Sequence, residues 1–145
     1  MLLDSRNEFA DATNCFADAA TILVGDQIDL GEDAVNPGRG QPIYLVIQVT
    51  TAATGGTSIN LQLASDAAAS VAVDGSATVH WQTGAIAVAD FTLGRQWIVA
   101  LPQGTDYERY LGILAVNAGT VTAGAVNAFL TWDPQNYHDY PDAVN

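Results

Sequence analysis

The chain has 145 residues, 49% of them hydrophobic and 14% charged, which is enough for one domain with its own core and too apolar for a disordered chain. Sixteen acids stand against four arginines and no lysine, a formal net charge of -12. That surface repels phosphate backbones and anionic membranes, so no nucleic acid and no membrane partner is expected.

The missing lysine also removes Walker-type phosphate loops and Schiff-base chemistry. One cysteine, Cys15, cannot form an internal disulfide, and with two histidines it makes a poor zinc site. It reads as a buried, inert thiol. No apolar run approaches the roughly 18 residues of a membrane span. The first residues, with Asp4, Arg6 and Glu8, lack the basic-then-apolar order of a signal peptide. A soluble protein made in a reducing cytoplasm is expected.

In chain order, Ser5-Arg6-Asn7-Glu8 has the spacing of a capping box, but Phe9 to Ala20 carries no sustained helical stripe. Residues 1–20 are therefore read as an N-terminal arm, with Leu2, Leu3 and Phe9 as candidates to dock on a neighbour. Thr21 to Leu30 is strand-like around Gly25-Asp26, and Gly31 to Gln41 is a loop. The acids Asp26, Asp29, Glu32 and Asp33 cluster there without the order of an EF-hand, so solvated charge is preferred to a calcium site.

Ile43 to Val49 is nearly continuous and β-branched, as in a strand covered on both faces. A turn over Thr51 to Thr57 leads to Ser58–Leu63, which alternates cleanly; together they predict a hairpin. Ala67 to Ser76 reads as a variable loop. Short strands follow at Thr78–Gln82 and Ala85–Phe91. His80 lacks a nucleophile elbow or an acid at a telling spacing and is read as structural.

Trp97 to Leu101 and Tyr107 to Val116 are joined by a turn through Pro102 and Gly104. The second of these strands is apolar on both faces and is predicted to be central. Pro102, Gly104, Arg109 and Tyr110 are assigned structural roles, with Arg109 pairing to Glu108 or to a cross-strand acid. Thr120 to Trp132 is the last strand. Residues 133–145 form an irregular tail in which Tyr137 and Tyr140 are candidate partner contacts. Asp133, His138, Asp139 and Asp142 could ligate a metal, but aromatics in an irregular tail favour a surface anchor, and no metal site is assigned.

Roughly eight short strands without crossover helices predict a single all-β domain, an antiparallel jelly-roll or Greek-key β-sandwich. No catalytic, cofactor or metal constellation emerges, so the chain is not expected to be an enzyme. Trp81, Trp97 and Trp132, with the surplus of acids, leave a carbohydrate-binding sandwich as the alternative.

Four places carry a resemblance. They are Met1-Leu2-Leu3-Asp4 with Phe9-Ala10-Asp11-Ala12, and Gln27-Ile28-Asp29-Leu30-Gly31 leading to Pro42–Val49. The others are Leu101-Pro102-Gln103-Gly104 running into Glu108-Arg109-Tyr110-Leu111, and Gly119–Gly124 with the Tyr-rich end. In this combination the chain resembles the small capsid cement proteins of tailed phages, of the kind first described in a Bordetella phage. The resemblance implies a jelly-roll decoration protein on the outer surface of an HK97-like shell, made in the host bacterial cytoplasm. It would bind the major capsid protein and itself, a homodimer being favoured over a trimer, and would bridge neighbouring capsomers.

Overall fold

Tyr110–Ala118 (β9) is buried at six of its nine positions, on both parities, the pattern of a strand with neighbours on both edges and cover on both faces. The computed structural model, which describes residues 4–32, 37 and 40–134, places β9 in that position. On one side it pairs with Thr21–Leu23 (β2) and Ile28–Asp29 (β3). On the other it pairs with Ser58–Asp66 (β5), which continues to Thr78–Gln82 (β6) and Ile86–Ala87 (β7). A second sheet runs in the order Glu8–Asn14 (β1), Val121–Thr131 (β10), Tyr44–Gly55 (β4), Gln96–Ala100 (β8). All pairings are antiparallel, and helix is confined to two three-residue 3-10 turns among the described residues.

The two sheets share one core. Leu45, Ile47 and Val49 of β4 and Val126, Ala128 and Leu130 of β10 meet Ile59, Leu61 and Leu63 of β5 and Leu111, Ile113 and Ala115 of β9. Each set follows the two-residue period, so alternate side chains of every strand enter the same layer. Cys15 lies in this core, and burial pushes its thiol up to about 12.

Several expectations change. The arm predicted over residues 1–20 ends at a 3-10 turn, Ser5–Asn7, whose cap is Asp4 accepting from the Arg6 amide at 3.0 Å. From Glu8 the chain is a strand of the sheet. Phe9, expected at a partner surface, is 1% exposed and belongs to the core. It has no free face because its own sheet and the β2–β3 segment enclose it: the Asp26 amide donates to the Phe9 carbonyl at 2.7 Å. The predicted strand over Thr21–Leu30 is two short ones, broken at Gly25, whose φ of +68° suits glycine.

The predicted hairpin between Ile43–Val49 and Ser58–Leu63 is not one. β4 extends through the expected turn to Gly55, and β5 then joins the opposite sheet. Alternation places side chains on faces but is blind to which sheet a strand enters. The Ala85–Phe91 strand shrinks to Ile86–Ala87 followed by a 3-10 turn, Val88–Asp90. Ala67–Ser76 is a fastened lid rather than a loose loop. Val71, 1% exposed, packs on Ala64 and Leu114 across the outer face of the β9 sheet. Gln27 Oε1 accepts from the Ser70 and Val71 amides, and the Asp66 carboxylate from those of Ala68 and Ala72.

Candidate functional site

The connection from β8 to β9 crosses between the sheets and brings the buried Tyr107 and Ser65 side chains together with His80. Leu101 is held to β4 by its amide, which donates to the Ile43 carbonyl at 2.8 Å. Tyr107, 1% exposed, lies at the foot of β9, and its hydroxyl donates to the Pro102 carbonyl at 2.8 Å. That bond closes the loop, with Pro102 where φ is preset and Gly104 at φ +77°. Burial pushes the Tyr107 phenol up to about 12.

The Tyr107 ring faces the His80 imidazole at 4.2 Å between centroids. His80 Nε2 lies 2.7 Å from Ser65 Oγ, and the Glu108 amide donates to the same hydroxyl at 3.1 Å. With Ser65 donating to an unprotonated Nε2, the serine hydroxyl both donates to the imidazole and accepts from the Glu108 amide. Burial lowers the His80 pKa, which favours that neutral form. A serine–histidine pair is the beginning of nucleophilic chemistry, but Ser65 is 0% exposed and its oxygen already binds a backbone amide. The arrangement fastens the loop to β5 and β6. Sequence spacing could not reveal it, because a bulge between β5 and β6 sets which residues meet.

Arg109 finds the cross-strand acid that the sequence left open: Asp29. Nε and Nη2 donate to the two carboxylate oxygens, each at 2.9 Å, and the Leu30 amide donates to the Arg109 carbonyl at 2.8 Å. The guanidinium also lies 5.1 Å from the centre of the Tyr110 ring, so Tyr110 and Arg109 act together at the strand entrance. The Arg109 hydrogen bonds, then the Gly31 amide, hold the Asp29 carboxyl down at about 2. A carboxylate with a lowered folded pKa stabilises the fold above its unfolded pKa, here 3.8. That contribution is lost as pH falls through about 2. Asp29→Asn is expected to flatten the acid limb of the stability curve between those values, read by denaturant titration at stepped pH; an unchanged limb would show that the pair is screened out by solvent.

Beside this pair, a cleft of about 610 Å³ runs between Ser5, Arg6 and Glu8 on one side and Asp26 to Asp29 on the other. Its acids do not converge: no group of three potential ligands stands at metal-binding range among the described residues. Of the four acids clustered in sequence over residues 26–33, Asp29 is bound to Arg109 and Asp33 lies outside the described residues.

The surface carries a different signal. Trp132 is 70% exposed at the end of β10, and Leu93 is 69% exposed in the turn before β8. Trp81 and Trp97 instead pack against the core. Of the expected partner contacts, Leu2, Leu3, Tyr137 and Tyr140 lie outside the described residues, and Phe9 is internal. The exposure of Trp132 is not legible in the sequence, because an apolar residue just past a strand looks there like the last residue of a buried stripe. Among the described residues no helix is long and apolar enough to cross a membrane. Compared with known proteins, residues 9–130 match the model of a family described as Bbp16. No match was found among curated proteins.

Proposed function

The chain belongs to the Bbp16 family, and from that membership we propose that it is a structural protein of a phage virion: a cement protein on the outer face of an HK97-like capsid. The match over residues 9–130 carries the reading, because it covers the whole sandwich and the name fits a Bordetella phage family, the origin that the sequence resemblance implies. The strand order β1-β10-β4-β8 against β2-β9-β5-β6 supports a jelly roll. The short pairs β2 with β3 and β6 with β7 flank β9 and β5 and take one position each, which reduces the strands to the eight such a fold uses.

In this role the protein bridges neighbouring capsomers and binds the closed lattice more tightly than its separated parts. Linkage then raises the stability of the shell without any catalysis. Many copies repeat a modest contact, and avidity supplies what one contact lacks. Partners are the major capsid protein and a second copy of the chain; nucleic acid and membranes are not among them, given the net charge of -12. The carbohydrate reading loses ground, since two of its three tryptophans are packed inward.

The test uses shells of the phage from which this protein has been removed. Purified protein added back should co-sediment saturably and raise the temperature at which the shells break. Protein that remains in the supernatant at every concentration would remove the cement role.

A further inference from the structure

His80 is the extra residue of the bulge between β5 and β6: Leu63 pairs with Trp81 and Ala64 with Val79, which leaves His80 without a counterpart in the register. A bulge re-aims its extra side chain. Here it brings Nε2 to 2.7 Å from Ser65 Oγ and the imidazole against the Tyr107 ring. His80 is half-buried, so a proton can reach it from solvent. Ser65 is 0% exposed, so no solvent water replaces a partner that it loses.

The Ser65 hydroxyl has one hydrogen, which it gives to Nε2, while its oxygen accepts from the Glu108 amide. That order holds only on an unprotonated Nε2. A proton taken up there turns the acceptor into a second donor aimed at the same oxygen. The serine hydrogen is then left without an acceptor in a site closed to water, a cost relieved by separating the groups. The charged and titratable neighbours are engaged elsewhere or exposed. The Glu108 carboxylate accepts from Thr78 Oγ1 at 3.5 Å, two residues along β6, and the Asp66 carboxylate accepts from the Ala68 and Ala72 amides. Arg109 is bound to Asp29, Asp106 is exposed, and the Tyr107 phenol is neutral. Against this background burial lowers the His80 pKa.

We propose that the Ser65–His80 bond is an acid-released latch: it is closed on a neutral imidazole, opens when Nε2 takes a proton, and on opening frees the Glu108 amide and the Tyr107 end of the β8–β9 connection. Release is local. Asp29 stays ionised down to a pH of about 2, so the Arg109 pair holds the start of β9 while His80 titrates. Linkage fixes the sign. An ordinary imidazole titrates at 6.5 and the latched one lower, so the latch is tight above 6.5. As pH falls from 6.5 to the lowered value, the open form gains up to about tenfold per pH unit. None of this depends on the cement role, which shell co-sedimentation tests separately.

Amide exchange of the full-length protein, followed by nuclear magnetic resonance between about pH 8 and pH 5 and corrected for the intrinsic rate, tests the latch. Protection of the Glu108 amide should fall up to about tenfold per pH unit below 6.5, while the amides of β9 keep theirs. His80→Gln offers Ser65 an oxygen acceptor that takes no proton, and it should hold the protection constant across the range. Ser65→Ala should lower it at every pH and leave no dependence. Both variants retain His138, which therefore cannot supply the difference. A Glu108 amide equally protected at both ends of the range overturns the latch, as does a glutamine variant that still loses protection in acid. If the glutamine variant does not fold, the imidazole titration of the parent decides. A His80 midpoint below 6.5 with loss of protection supports the latch, and a midpoint at or above 6.5 overturns it.

Discussion

Phe9→Ala is expected to lower the free energy of unfolding by about 3–5 kcal/mol, the usual cost of removing a buried phenylalanine ring. Phe9 is among the largest fully buried side chains of the chain, and it is contributed by an edge strand. The ring is enclosed by its own sheet and by the β2–β3 segment, which is itself fastened to the Phe9 carbonyl through the Asp26 amide, and this limits collapse of the cavity it leaves. Against a typical total of about 5–15 kcal/mol, such a loss takes a large share. Urea titration would measure it as a lower midpoint with unchanged slope. A change below about 1 kcal/mol, within the range of surface substitutions, would mean that β1 undocks readily and that Phe9 can serve a neighbour after all.

Gly25→Ala is expected to be at least as damaging, for a different reason. At φ +68° any side chain is strained, and a Cβ there would fall onto the Phe9 carbonyl oxygen, which is backbone and cannot swing away. The hydrogen bond from the Asp26 amide to that same oxygen would be displaced too. Gly104→Ala is the matched control. Its φ is +77°, but a Cβ there meets nothing within 4 Å, so only the conformational cost of about 1–2 kcal/mol remains. The expected outcome is a folded Gly104 variant and a Gly25 variant that is unfolded or nearly so, as read by thermal melting. Equal losses at both positions would show that the β1 contact with the β2–β3 segment contributes little.

Both substitutions act where the N-terminal strand meets the opposite sheet, which is the part of the molecule that the sequence described least well. Its residues, Glu8 to Asn14, neither alternate nor form a helical stripe, and β1 pairs with β10 through two register shifts that erase the simple period. An arm was the natural reading of such a stretch. The candidate site divides in the same way. The Leu101–Gly104 turn, the central position of β9 and an acid partner for Arg109 were legible, because proline, glycine and a two-sided apolar run each have a local physical meaning. Asp29 as that partner, and the Ser65–His80–Tyr107 contact, depend on which strands lie side by side.

By itself the sequence determined an all-β chain, the approximate place of most strands, the apolar sides that face the core and the acidity that turns phosphate surfaces away. These follow from side-chain period, backbone restriction and charge, all of which act within a few residues or on the chain as a whole. Only the tertiary structure decided that β4 and β5 part into different sheets, that Phe9 is enclosed, and that Val71 closes an outer face. Those outcomes come from register and bulges between segments far apart in the chain, and no single segment carries the energy that selects them.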